Sequence, residues 1–448
     1  MRRADRTGRP GSGISRVRAR SVAVVTLAAA LLLGAGAVLG GRPAAPPGAT
    51  TGTVTAAGPD RLAMAIEQAQ QRLRRVPGDY RSWAALGLAY LERARITAEP
   101  GWFDRAEGAL RRSLAERRDG NPAALTGLGA LANARHDFDG ARELARGVVR
   151  EHPYHADAYG VLADAETQLG RPAAATAAVQ RMLDLRPGLP ALARAAYDRE
   201  QHGRVAEAGR LLQRALAAAF DPADLAFCRH QRGELAWHAG DLSQAQEQYA
   251  AGLAADPGYL PLRHGLARVA AARGDRAAAL AGYAALTAAS PTPTYLREYA
   301  ELLRTAGRAG EADRQLALAG AAHQLFTASG GTDDLTGAEL AIAAGRPAEA
   351  VRLAEREWQR RQFAGVADTL AWALHLAGRD AEAVTYARRA TALGARHAGY
   401  AFHLGMIELS LGDRAAARTQ LARALAINPY FSPVDAPAAA RTLARLES

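Results

Sequence analysis

Apolar positions recur along this chain with the spacing of helices. Between residues 60 and 75, Leu62, Ile66, Ala69 and Leu73 share one helical face before Pro77. From there to about residue 431 a longer pattern takes over. A glycine is followed five residues later by an alanine at Gly101/Ala106, Gly170/Ala175, Gly203/Ala208, Gly240/Ala245, Gly274/Ala279, Gly307/Ala312, Gly345/Ala350, Gly378/Ala383 and Gly412/Ala417. Ala141 keeps the same frame with His136 in the glycine slot. Successive alanines stand 35, 34, 33, 37, 34, 33, 38, 33 and 34 residues apart. None of the units shows the period-two alternation that strands need. Self-similarity at this period predicts an all-α solenoid of about ten helical hairpins.

Each part of the unit has a physical reason. Glycine takes the left-handed position that ends a first helix without a Cβ penalty. Alanine early in the second helix lets the two helices approach closely. Pro153, Pro187, Pro257, Pro291 and Pro429 each stand twelve residues after such an alanine, where proline cannot continue a helix.

The frame also marks the domain organisation. Sixteen residues rather than nine separate Tyr90 from Ala106, so the first hairpin has longer helices or a looser turn. The run Thr327–Asp334 is rich in glycine and coincides with the longest alanine spacing. It predicts a hinge at 327–334 between a lobe at 60–326 and a smaller lobe at 335–431. Asp333 and Asp334 are expected to cap the helix that follows. Residues 432–448 read as a capping helix over Ala436–Leu446, N-capped by Asp435, with Arg441 and Arg445 keeping the end of the array soluble.

At this point the chain resembles the tetratricopeptide-repeat family, whose unit reads W-x2-L-G-x2-Y, then A-x3-F, then P. Trp83-x2-Leu86-Gly87-x2-Tyr90 matches the first half in full. Leu125-x2-Leu128-Gly129 leads on to Ala141 and Pro153, and Leu404-Gly405 to Ala417, Leu421 and Pro429. The resemblance covers about residues 60–431. It implies a right-handed superhelix whose concave groove is lined by the first helix of each hairpin and receives a protein or peptide partner. With Trp83 and its equivalents as position four, the implied groove positions five, nine, twelve and thirteen fall on Asp164 and Thr167; on His230, Glu234, Trp237 and His238; and on His264 and Arg268. Further along they fall on Arg297, Glu301 and Arg304, then on Asp368, Trp372 and His375. Binding is expected to centre on Trp237. The family's best-known clamp for a peptide carboxylate uses lysines and asparagines; this chain has no lysine, and only Asn133 stands at a matching place.

Composition and charge add the amino terminus to this picture. The apolar fraction is 49% but the aromatic fraction only 6%, as alanine- and leucine-filled helix pairs require. All 56 basic residues are arginine, which reads as coding bias. The formal charge of +11 does not indicate nucleic acid, because six of those charges fall within residues 1–20 and no basic stripe interleaved with aromatics follows. Residues 21–40 form an uncharged apolar run behind the arginines, long enough for a hydrocarbon core of ~30 Å. Two readings stand: a signal peptide cleaved after the Ala35-Gly36-Ala37 motif, or a signal anchor with its amino terminus inside. Either puts the repeats outside the cytoplasmic membrane. Residues 41–59, rich in proline, alanine, threonine and glycine, read as a linker.

Catalytic chemistry finds no foothold. The sequence has no G-x-S-x-G, no H-E-x-x-H, no phosphate loop and no dinucleotide fingerprint, so neither an enzyme nor a cofactor is expected. His152 and His155 have a metal-like spacing but lie at an inter-repeat turn with no acidic or thiol partner in the motif. Cys228, the single cysteine, is expected as a buried core thiol. Two functions remain: an envelope scaffold binding a partner segment in its groove, and an accessory subunit of a transport or metal-handling complex. The second needs His230, His238 and His264 to converge.

Overall fold

Ten left-handed residues, eight of them glycines, divide this chain into helical hairpins. The computed structural model describes residues 58–448. Helix α1 (Gly58–Arg75) leads. The hairpins follow: α2 and α3 (Tyr80–Thr97, Gly101–Glu116), α4 and α5 (Pro122–Ala134, Phe138–Glu151), α6 and α7 (Ala156–Gln168, Pro172–Leu185). Next come α8 and α9 (Leu189–Gln201, Val205–Ala217), α10 and α11 (Pro222–His238, Leu242–Ala255), α12 and α13 (Leu260–Ala272, Arg276–Ala289). The last four are α14 and α15 (Pro293–Thr305, Ala309–Ala328), α16 and α17 (Asp334–Ala343, Pro347–Arg360), α18 and α19 (Ala364–Leu376, Asp380–Thr391), α20 and α21 (Ala398–Ser410, Arg414–Ile427). Helix α22 (Asp435–Glu447) ends the array, and no strand occurs among the described residues.

The periodic residues do what their chemistry requires. All ten framed alanines are buried, none more than 3% exposed, each under the first helix of its own hairpin. Gly170, Gly203, Gly240, Gly274, Gly307, Gly345, Gly378 and Gly412 end their first helices with φ between 70° and 85°. Gly101 departs from this frame: it lies inside the start of α3, and Ala98 takes the left-handed place with φ 53°. The extra residues of this copy lengthen α2 to 18 residues, against 13 in α4. Asp333 caps α16 by accepting the Thr336 N–H at 3.0 Å. At the other end α22 begins at Asp435 itself. Ser432 Oγ, not the Asp435 carboxylate, accepts the N–H groups of Val434 and Asp435.

Successive turns of the superhelix touch. The Thr332 N–H donates to the Arg135 carbonyl at 3.0 Å. Arg361 donates to the Gln168 side chain, and the Arg361 guanidinium lies 5.0 Å from the Phe138 ring centroid. Gly170 lies against the Gln362 backbone, and Gly203 against that of Gly394. Asn428 Nδ2 donates to the Trp237 carbonyl at 2.8 Å. Apart from Arg361 and Phe138, these partners are 191 to 197 residues apart, so one turn takes roughly five and a half repeats. The seam joins loops that end first helices to loops that end second helices one turn later.

His136, the exception in the glycine slot, belongs to this seam. Its φ is 63°, a conformation that disfavours a side chain. The imidazole is buried between Phe138 and Phe326, at 5.4 and 5.2 Å between ring centroids, with Asp333 at 4.0 Å. The side chain that a glycine would lack fills the joint between the two turns.

Candidate binding cavity

Because the turns close on each other, the concave side becomes a cavity of about 1920 Å³. Its wall comes from α1, α2, α8, α10, α12, α13, α14, α20 and α22 and the loops beside them, largely the inward faces of first helices. That exceeds the ~300–1,000 Å³ of ordinary small-molecule sites.

Two carboxylates organise the middle of the wall. Glu234 on α10 accepts from Tyr249 Oη at 2.6 Å and pairs with Arg268, while His230 Nε2 lies 3.6 Å away. The Arg268 guanidinium stands 4.9 Å from the Trp237 ring centroid. Glu298 on α14 accepts from Tyr283 Oη at 2.8 Å and pairs with His264 Nε2 at 2.5 Å. Tyr249 and Tyr283 each stand four residues after a framed alanine, Ala245 and Ala279, so their rings pack between helices and their hydroxyls reach the inner wall.

This burial has electrostatic consequences. Burial opposes ionisation of Glu298, but His264 and the neighbouring arginines outweigh it and hold the carboxyl down at about 2. Burial pushes the His230 imidazole down to about 4, with Glu234 pulling the other way. His238 is also desolvated, yet Glu200 at 2.7 Å raises it above the usual histidine range. His397, beside α20, is pushed down by burial to about 4.

The wall near the chain's end is different. Ser432 Oγ donates to Glu301 at 2.9 Å, tying α14 to the loop before α22. Arg297 is shared between Glu298 at 4.0 Å and Glu339 at 3.7 Å. Burial holds the carboxyls of Glu301 and Asp435 above their usual range.

Eight of the expected groove residues line this cavity: His230, Glu234, Trp237, His238, His264, Arg268, Arg297 and Glu301. Trp237 is a packed wall element, 8% exposed, rather than an open platform. The others lie elsewhere. Asp164 is buried in a bidentate pair with Arg194, both contacts at 2.8 Å. Arg304 pairs with Asp313 at 3.1 Å. Asp368 backs the cavity residue His403 at 2.9 Å. Trp372 lies between His375 and His403, at 4.8 and 4.2 Å, and His375 Nδ1 meets Asp380 at 2.5 Å.

Position counting missed Glu298, Tyr283, Tyr295, His397 and His403, which also line the cavity. Tyrosine in place of the apolar residue four after the alanine was the legible signal for Tyr283. Loop residues such as His397 carried none.

Among the described residues no group of three or more His, Cys, Asp or Glu could hold a metal ion. Cys228 is buried, and burial pushes its thiol up to about 12. The apolar run 21–40 lies outside the described residues; among those described, no helix is long and apolar enough to cross a membrane.

Three family models, each described as tetratricopeptide repeat, match residues 101–155, 132–197 and 398–431. No curated protein matches the sequence. Among solved structures, the chain is similar to the human IFIT1 dimer with PPP-AAAA at 14% identity and TM-score 0.47, over 82% of this chain and 88% of that one. The APC/C hetero-tetramer Cut9-Hcn1 aligns at 13% identity and TM-score 0.39, over 87% and 94%. A thermophilic tetratricopeptide-repeat protein of Thermus thermophilus aligns at 25% identity and TM-score 0.35, over 38% and 91%.

Proposed function

The chain is a tetratricopeptide-repeat protein, and on that premise we propose that it is a non-enzymatic scaffold of the cell envelope, holding a segment of a partner protein inside its central cavity. Helical-repeat arrays of this family are surfaces for protein–protein interaction. The observation that carries the reading is the cavity itself: about 1920 Å³, walled by first-helix aromatic and charged side chains. Such a wall combines apolar area with polar groups that fix the register of a bound segment.

Location outside the cytoplasmic membrane belongs to the same proposal and rests on the arginine-rich start and the apolar run 21–40. A reporter active only after export, fused at residue 60, should be active, and a cytoplasmic reporter at the same place silent. The reverse pattern removes the envelope from the proposal.

Occupancy of the cavity is tested by filling it. Gln231→Trp and Thr294→Trp add bulk to the wall without truncating the core. Partners captured from envelope extracts by the parent chain should be lost with these variants. They should be retained with Arg214→Ala, on the outward face of α9. A partner captured equally by all three places binding on the outer surface.

A further inference from the structure

The cavity wall carries a different charge balance from the chain around it. The chain as a whole holds 56 arginines against 45 acidic residues. The wall holds nine carboxylates against six arginines. Its histidines do not redress this fully, because burial keeps His230 and His397 neutral near pH 7.

Among the described residues four of the nine carboxylates are paired, and the unpaired ones fall in two groups: Asp221, Asp224 and Asp256 near the ends of α10 and α11, and Glu301 with Asp435. Glu234 has Arg268, Glu200 has His238, Glu298 has His264, and Glu92 has Arg95 at 2.5 Å. At the α14–α22 side, Ser432 bonds Glu301 and accepts the Asp435 N–H at 3.0 Å, bringing those two residues to one end of the wall. Neither carboxylate forms an ion pair among the described residues, and Arg297 is already shared between Glu298 and Glu339. Tyr295, Tyr400 and Phe431 stand in the same wall, and aromatic faces attract ammonium and guanidinium groups.

We infer that the cavity takes a basic peptide segment, whose arginine or lysine heads meet Glu301 and Asp435 while their aliphatic stems lie along the aromatic wall. The inference rests on the reading of the cavity as a partner-binding site. Charge complementarity selects the occupant: an acidic peptide or a nucleic acid would bring phosphate or carboxylate to a wall already rich in carboxylates. The volume selects a segment rather than a single amine. The long-range field of a chain with formal charge +11 works against a cation, so any preference for one must come from this wall.

The test uses the full chain in neutral detergent. Fluorescence anisotropy follows a labelled alternating arginine–alanine peptide and its glutamate–alanine counterpart. The arginine peptide should bind at least about tenfold more tightly, with affinity falling as salt rises. The double variant Glu301→Gln, Asp435→Asn should weaken it about tenfold or more, and Glu143→Gln, on the exposed side of α5, should leave it unchanged. Because a double change in the wall could disturb folding, circular dichroism is compared, and Gln231→Trp reports on the same cavity from α10. Equal affinity for both peptides, preference for the glutamate peptide, or parent-like binding by the carboxamide variant overturns the inference. A partner lost with Gln231→Trp but not displaced by the arginine peptide overturns this inference and leaves the scaffold reading standing. Arginine-peptide binding indifferent to Gln231→Trp removes the cavity as its site and overturns this inference, whereas a partner captured equally by Gln231→Trp takes the scaffold reading down with it.

Discussion

Asn428 donates its side-chain amide to the Trp237 carbonyl across 191 residues of sequence, at 2.8 Å. Asn428 is 2% exposed, and its own Oδ1 accepts the Tyr430 N–H at 2.8 Å. One side chain therefore sets the loop after α21 and fastens it to the end of α10. Removing the amide by Asn428→Ala leaves the loop unbraced and the seam short of one buried hydrogen bond. The expected cost is about 1–3 kcal/mol in urea unfolding, with helix content unchanged by circular dichroism. Hydrogen exchange should quicken at Gly240 and Tyr430 before it quickens elsewhere.

Glycines at the seam and away from it make a controlled comparison. Gly170→Ala and Gly274→Ala both place a side chain in left-handed backbone, with φ 72° and 82°. Each should lose about 1–2 kcal/mol on that account. Only at Gly170 would the new Cβ run into backbone, that of Gln362, whereas the space at Gly274 is open. Gly170→Ala should therefore be the more destabilising by about 1–3 kcal/mol, the usual range for overpacking. Equal losses at the two sites would mean that the turns do not pack in solution.

At His136 backbone preference and packing pull in opposite directions. His136→Gly relieves the left-handed strain but empties the space between Phe138 and Phe326. A net loss of about 1–3 kcal/mol is expected, because the cavity term exceeds the backbone gain. The neighbouring Ser329–Thr332 loop, tied through Thr332 to Arg135, should then be cut faster by a non-specific protease. A variant that is stabilised, with this loop cut no faster, sinks the account of the exception.

The buried His230 makes stability depend on pH. Its folded pKa, about 4, lies below the ordinary value of 6.5. Between those values the unfolded chain binds a proton that the folded chain does not, so stability falls as pH drops from 6.5 towards 4. His238 and His403, raised above the ordinary value because Glu200 and Asp368 outweigh burial, act in the opposite sense: their contribution is present below that value and fades as pH rises. Unfolding free energies from urea titrations near pH 7.5 and near pH 5 should differ less in His230→Gln than in the parent, by about 2 kcal/mol. His397, also pushed to about 4 by burial, leaves a residual slope of the same sign.

The repeat frame was legible because it is local. Glycine at Gly240 and alanine at Ala245 satisfy a turn and a helix crossing only five residues apart, so each hairpin is written in its own 34 or so residues. The hairpins from α4 to α21 and eight of the wall residues follow from that frame, whereas at α2 and α3 the turn falls on Ala98 instead of Gly101. What the frame does not contain is the small rotation from one repeat to the next. Summed over roughly five and a half repeats, that rotation brings Trp237 to Asn428 and Gly170 to Gln362, and it closes a groove into a cavity. Tertiary packing therefore decided that Trp237 is a wall rather than a platform and that Asp164 meets Arg194 instead of a ligand. It likewise decided that the one histidine in a glycine slot is there for its side chain. A residue's helix is chosen by neighbours within a few turns, whereas its exposure depends on where the accumulated curvature carries the rest of the chain.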